Sequence, residues 1–160
     1  MVIYNSFWIP HKVPSLNELN AFRAIQGPSR GKNIINLGGK QSKKGGYRFN
    51  LYNDTKQKWS KIVHDIVTKQ GFQKVESCYF NYLVVEKTVK RDPSNICASA
   101  IKFIEDGLMK AGVIPNDGWK NVEGIRLYWI KDKETTGVHV VMSDEPMEQA
   151  NVCESWLKNV

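Results

Sequence analysis

The sequence predicts one mixed α/β domain, of the α+β kind in which helices flank a mixed sheet, and three observations predict it. Stretches with apolar residues at helical spacing alternate with shorter runs rich in Val, Ile, Tyr and Phe, in the order β-α-loop-α-β-α-β-β. No repeat or linker divides the 160 residues, enough chain to bury roughly two thirds of its unfolded surface in one core. Apolar residues at 41% and charged residues at 24% are ordinary globular values, which excludes wholesale disorder.

Residues 2–9 read as a first strand closed by Pro10 and Pro14. Residues 15–26 follow as a short helix with loosely periodic Leu16, Leu19, Phe22 and Ala24. Residues 27–46 hold six of the twelve glycines with Arg30, Lys32, Lys40, Lys43 and Lys44, and no acidic residue occurs between Glu18 and Asp54. A segment so composed buries little, so a flexible basic loop is expected at about 27–48. Asn53 or Asp54 caps the next helix, which carries Trp59, Ile62, Val63, Ile66 and Val67 on one face and ends before Gly71. His64 interrupts that face and, with no second ligand in register, reads as a boundary residue.

Residues 75–89 form a long strand that delivers Lys90, Arg91 and Asp92 at its end. Pro93 disfavours helical backbone at Asp92, and Ser94 or Asn95 caps a helix to Ala111. Its buried stripe is Ile96, Ala100, Phe103, Ile104, Gly107, Leu108 and Ala111, with Ser99, Lys102 and Asp106 on another face. Gly112 ends it, and Asn116-Asp117-Gly118 makes a tight turn. Residues 125–130 and 138–142 are expected to pair as a hairpin across the polar turn 131–137. Residues 148–157 form a last short helix that docks through Trp156 and Leu157.

The net charge of +7 and a pI near 9.3 favour a polyanionic partner, nucleic acid first. Cys78, Cys97 and Cys153 are far apart, with no C-x-x-C pair, which argues against zinc and against a disulfide framework. With no membrane-length apolar run and no signal-like N-terminus, a cytoplasmic protein is expected.

The segment from Lys90 to Trp119 holds the candidate chemistry, with an acidic loop residue at each end of one helix and basic residues beside both. A helix over 95–111 spans ~24 Å, so local geometry alone does not make neighbours of Asp92 and Asp117. Arg91-Asp92-x-x-Asn95, then Lys102 and Asp106, then Lys110-Ala-Gly-x-x-x-Asn116-Asp117 resembles the RusA family of Holliday-junction resolvases, above all the versions carried by phages and prophages. Ile9-Pro-x-x-x-Pro-Ser-Leu-Asn17 is similar to that family's opening element. The family pattern has Asp where this chain has Ser94, and the spacing from Asn95 to Lys102 is about one helical turn longer than in founding members.

The resemblance implies a RusA-like single domain over residues 1–160 and a homodimer in a bacterial host cell. It implies symmetric cutting of branched DNA with Mg²⁺, for which Mn²⁺ substitutes, and no membrane or organic cofactor. Asp92 and Asp117 would hold the metal, with Ser94 holding a metal-bound water; Lys102 would be the basic catalytic residue and Asp106 a supporting acid. Lys90, Arg91, Asn95, Lys120, Lys40, Lys43, Lys44 and Arg48 would contact DNA, and Tyr47, Phe49 or Trp119 could stack on unpaired bases. The alternative implied by Ser94 is a protein that binds branched DNA but cuts it weakly or not at all.

Overall fold

The computed structural model describes residues 1–19, 40–41, 47–48 and 51–160. Strand β1 (Ile3–Ile9) runs from the N-terminus to Pro10, as its alternating apolar residues and the proline predict. Residues 16–19 are helical, opened by a capping box in which Glu18 N–H donates to Ser15 Oγ (3.2 Å) and Ser15 N–H to Glu18 Oε2 (2.7 Å). Most of the basic Gly-rich segment, with Lys43, Lys44 and Phe49, lies outside the described residues. Of that segment, β2 (Lys40–Gln41) and β3 (Tyr47–Arg48) pair antiparallel.

Helix α1 (Leu51–Gln70) starts earlier than Asn53 and buries Trp59, Val63 and Val67. Strand β4 (Cys78–Glu86) is shorter than expected at both ends, and helix α2 (Pro93–Lys110) follows. Asp92 is its N-cap, in place of the expected Ser94 or Asn95, with extended backbone (φ −69°, ψ 117°). Proline at the first helical position explains the shift, because it needs no N–H partner and requires an extended residue before it. At the other end Gly112 takes a left-handed φ of 69°, Gly112 N–H reaches Met109 O, and Val113 N–H reaches Leu108 O, both at 3.0 Å. This paired pattern closes the helix on its last free carbonyls.

Strand β5 (Val122–Lys131) and strand β6 (Gly137–Ser143) do not form the expected hairpin. The sheet order is β1-β6-β4-β5, with β5 parallel to β4 and β6 antiparallel to both β1 and β4. The α2 crossover returns the chain to the starting end of β4, so β5 must run parallel to it. The polar turn then steps over the end of β4, where Asp132 N–H bonds Glu86 O at 3.1 Å. Strand β6 is buried at every position, which a central strand requires, whereas β5 keeps the mixed exposure of an edge.

Helices α1 and α2 cover one face of the sheet over the main core, including Phe7, Phe80, Tyr82, Phe103 and Leu108. Helix α3 (Gln149–Leu157) covers the other with Leu83, Val85, Val141, Met147 and Val152. Trp156 docks as expected, but Leu157 points to solvent. Buried Asn81 is fully engaged: its amide donates to Ser143 Oγ (2.9 Å) and Val141 O (3.3 Å), and its oxygen accepts from Met147 N–H (2.8 Å). No helix among the described residues is long and apolar enough to cross a membrane.

The α1–α2 contact is closest at Gly107, where an added Cβ would sit 2.5 Å from Val63 Cβ and 3.0 Å from Ser60 O. Both atoms are held by α1 itself, so the helix would have to move. In an open helix Gly→Ala gains up to ~1 kcal/mol. Here overpacking outweighs that gain, and Gly107→Ala is expected to lower stability by ~1–3 kcal/mol in urea unfolding.

Candidate active site

The chemistry-bearing side chains gather on the C-terminal half of α2. Lys102 and Asp106 are one turn apart on the helix, and Lys102 Nζ lies 3.0 Å from Asp106 Oδ1. After Gly112 the chain folds back so that Lys102 Nζ also donates to Asp117 Oδ2. Asp117 stands in a local turn fixed by Gly118 N–H donating to Asn116 Oδ1 at 3.2 Å. From α1, Lys56 Nζ approaches Asp106 Oδ2 to 2.8 Å, a charge contact without hydrogen-bond alignment. Beside it a cleft of about 380 Å³ between α1 and α2 is lined by Asn53, Lys56, Gln57, Asp106, Met109 and Lys110.

This geometry settles the ionisation of the central pair. Its bond to Lys102 holds the Asp117 carboxyl below the usual range, and Asp117 in turn raises the Lys102 ammonium above its own. Lys102 is thus a fixed cation between two carboxylates.

Two groups in this neighbourhood went unread in the sequence. Glu105 is only 5% exposed, and its Oε1 accepts from the buried Tyr82 hydroxyl at 3.3 Å. Burial first, and the Asp117 charge second, push its carboxyl up to about 7. Its signal was its place on the margin of the apolar stripe, one turn after Ile101 and next to Ile104 and Leu108. Lys56 left no such signal, because only the packing of α1 on α2 brings it to Asp106.

Asp92 sits at the other end of α2. It accepts from Ser94 N–H (3.0 Å), the Ser94 hydroxyl (2.6 Å) and the Asn95 amide (3.1 Å). The Ser94 hydroxyl bond, foremost, lowers the pKa of this exposed carboxylate. Asp92 and Lys102 are ten residues apart, ~15 Å along the axis, so Asp92 does not join the Lys102–Asp117 cluster. Among the described residues no group of three His, Cys, Asp or Glu side chains is arranged to hold a metal ion.

Arg91 is spent internally: it binds Glu86 Oε1 at 3.1 Å, donates to Val13 O and stands 3.7 Å from Glu18 Oε2. It thereby anchors the segment after β1 to the start of α2. Lys90 and Lys120 are exposed, and Trp119, two residues from Asp117, is 94% exposed. Lys40 and Arg48 are backbone partners in the β2–β3 pair.

Glu105 has a measurable signature. A carboxyl whose folded pKa lies above its unfolded value costs stability where it must ionise. The cost is absent below about pH 4.5, grows up to about pH 7 and is complete above. Glu105→Gln is therefore expected to exceed the wild type in stability above pH 7 by on the order of 2–3 kcal/mol, with the gain gone by about pH 4.5. Urea midpoints of both proteins across that range check it. Buried His139, held down to about 4 by desolvation, destabilises both proteins equally as pH falls below 6.5 and cancels in the difference.

The chain matches no protein-family model, and no curated protein matches it.

Proposed function

We propose that this protein is a structure-selective endodeoxyribonuclease of the RusA type, which resolves four-way DNA junctions by phosphodiester cleavage. The observation that carries the reading is the Lys102–Asp106–Asp117 cluster, which lies within the segment that resembles the family. An ammonium braced by two carboxylates is a preorganised donor for charge that develops on phosphate oxygens. When a phosphate takes one of its contacts, the released Asp117 carboxylate can accept a proton from the attacking water. Exposed Lys90 and Lys120, with the net charge of +7, favour the sugar-phosphate backbone without reading sequence. Trp119 offers an open indole face to an unpaired base. Symmetric cutting needs two sites about a two-fold axis, hence a homodimer in the bacterial cytoplasm.

Mg²⁺, with Mn²⁺ as substitute, is the cofactor the resemblance implies; when bound it would neutralise phosphate charge and activate water. The side chains as placed do not fit one such site. Asp92 stands apart at the N-terminus of α2, and Lys102 already fills the space between Asp106 and Asp117. The electrostatic and proton-accepting roles therefore fall to Lys102 and Asp117 themselves.

Ser94 favours a second reading, a branched-DNA-binding protein with weakened or absent cleavage. Where the family has a carboxylate, this chain has a hydroxyl bonded back to Asp92.

A nicking assay separates the two, with four-way junctions and linear duplex in Mg²⁺, Mn²⁺ or EDTA. Junction-selective cutting is expected, reduced ~100-fold or more in Lys102→Ala and Asp117→Asn while gel-shift binding persists. Salt-sensitive junction binding with no cutting in either metal would overturn the enzyme, and cutting gained by Ser94→Asp would then identify the cause. Equal binding to linear duplex and junction would sink both readings.

A further inference from the structure

We infer that the outer edge of β5 is the surface on which two copies of this chain pair, antiparallel, about a two-fold axis at Leu127. The inference names the surface for the homodimer that the proposed function requires, but it is argued from the strand alone and its test does not depend on cleavage.

Strand β5 ends the sheet, and along its ten residues it pairs with β4 on the inner side only. Among the described residues no strand pairs with its outer side. The backbone groups of alternate residues there form a template for another strand. Natural edge strands are blunted by proline, shortness or dense charge. The run Val-Glu-Gly-Ile-Arg-Leu-Tyr-Trp-Ile-Lys has no proline, and Arg126 is the one charge between Glu123 and Lys131.

The exposed side chains point the same way. Ile125, Leu127 and Trp129 stand opposite Phe80, Tyr82 and Val84, so all three share the face covered by α2. Ile125 is nonetheless 41% exposed and Trp129 56%. Trp129 also walls a cavity of about 180 Å³ with Val89, Pro93, Ile96 and Cys97. The apolar surface thus continues past the strand instead of ending at it.

Charge selects the occupant and the register. A two-fold axis perpendicular to the sheet sets residues of one face against residues of the same face, so it must pass through a residue. An axis at Leu127 sets Ile125 against the partner's Trp129 and Arg126 against the partner's Tyr128, an apolar pair and a cation–aromatic pair. It also brings Lys131 to the end of the partner strand that carries Glu123. An axis at Arg126 would oppose two guanidinium groups, which is unfavourable. An axis at Tyr128 would set Lys131 against Ile125 and leave Glu123 beyond the pairing. Of these three central registers, the axis at Leu127 is the complementary one.

Sedimentation equilibrium of the full chain tests the inference, with twice the 18.3 kDa chain mass expected. The double change Ile125→Lys with Trp129→Lys should give a monomer with an unaltered circular dichroism spectrum. A second arm leaves that surface apolar. In a Cys153→Ser background, Leu127→Cys should form a disulfide-linked dimer on oxidation, whereas Arg126→Cys should not. A monomeric mass for the wild type, or a dimer indifferent to both lysines, would overturn the surface. Cross-linking through Arg126→Cys in place of Leu127→Cys would overturn the register.

Discussion

The approach of α1 to α2 at Gly107 sets the geometry on which the rest of the candidate site depends. Packed helices ordinarily stand 8–10 Å apart according to the side chains between them. A glycine facing Val63 and the Ser60 carbonyl lets the two backbones come close. Lys56, about one turn before Ser60 on α1, is thereby brought within reach of Asp106. Tyr52, a further turn back, comes within 5.5 Å of the Phe103 ring. One absent side chain therefore sets both the aromatic packing and the ion pair beside it.

The charges at the C-terminal half of α2 form a balance with one adjustable member. Lys56 and Lys102 face Asp106 and Asp117 in equal number, and Glu105 lies beneath them against Tyr82. With Glu105 protonated the set is neutral; ionised, it carries one excess negative charge in a place with little water. Desolvation and the Asp117 charge both oppose that state, so this carboxyl titrates near neutrality while Asp117 remains ionised. A buried acid beneath a surface ion pair thus ties the charge of the exposed cluster to the interior of the sheet.

Much of the fold was legible because helices declare themselves by period and by caps. The α2 stripe, the left-handed Gly112 and the extended Asp92 each follow from local chemistry. The hairpin failed for a reason equally physical. A polar turn such as 132–136, with Asp132 Oδ1 accepting from Glu134 and Thr135 N–H, serves a step over a neighbouring strand as well as a hairpin. The informative contrast was between the unbroken apolar run of β6 and the mixed pattern of β5. In the site, Lys102–Asp106 could be read from helical spacing. Lys56 and Glu105 could not be assigned, because each owes its role to a neighbour remote in sequence. Arg91, basic and beside the acidic motif, proved to be tied to Glu86 and Val13 by tertiary packing.

Helix α2 is capped at both ends, by Asp92 and by the Gly112 closure, and it is clamped along its length by the sheet and α1. Its length is therefore not an adjustable quantity. The backbone positions of Asp92 and Lys102 are held ~15 Å apart along the axis by a rigid rod. The helix acts as a spacer that keeps the Asp92 cap and the Lys102–Asp117 pair as two separate polar sites.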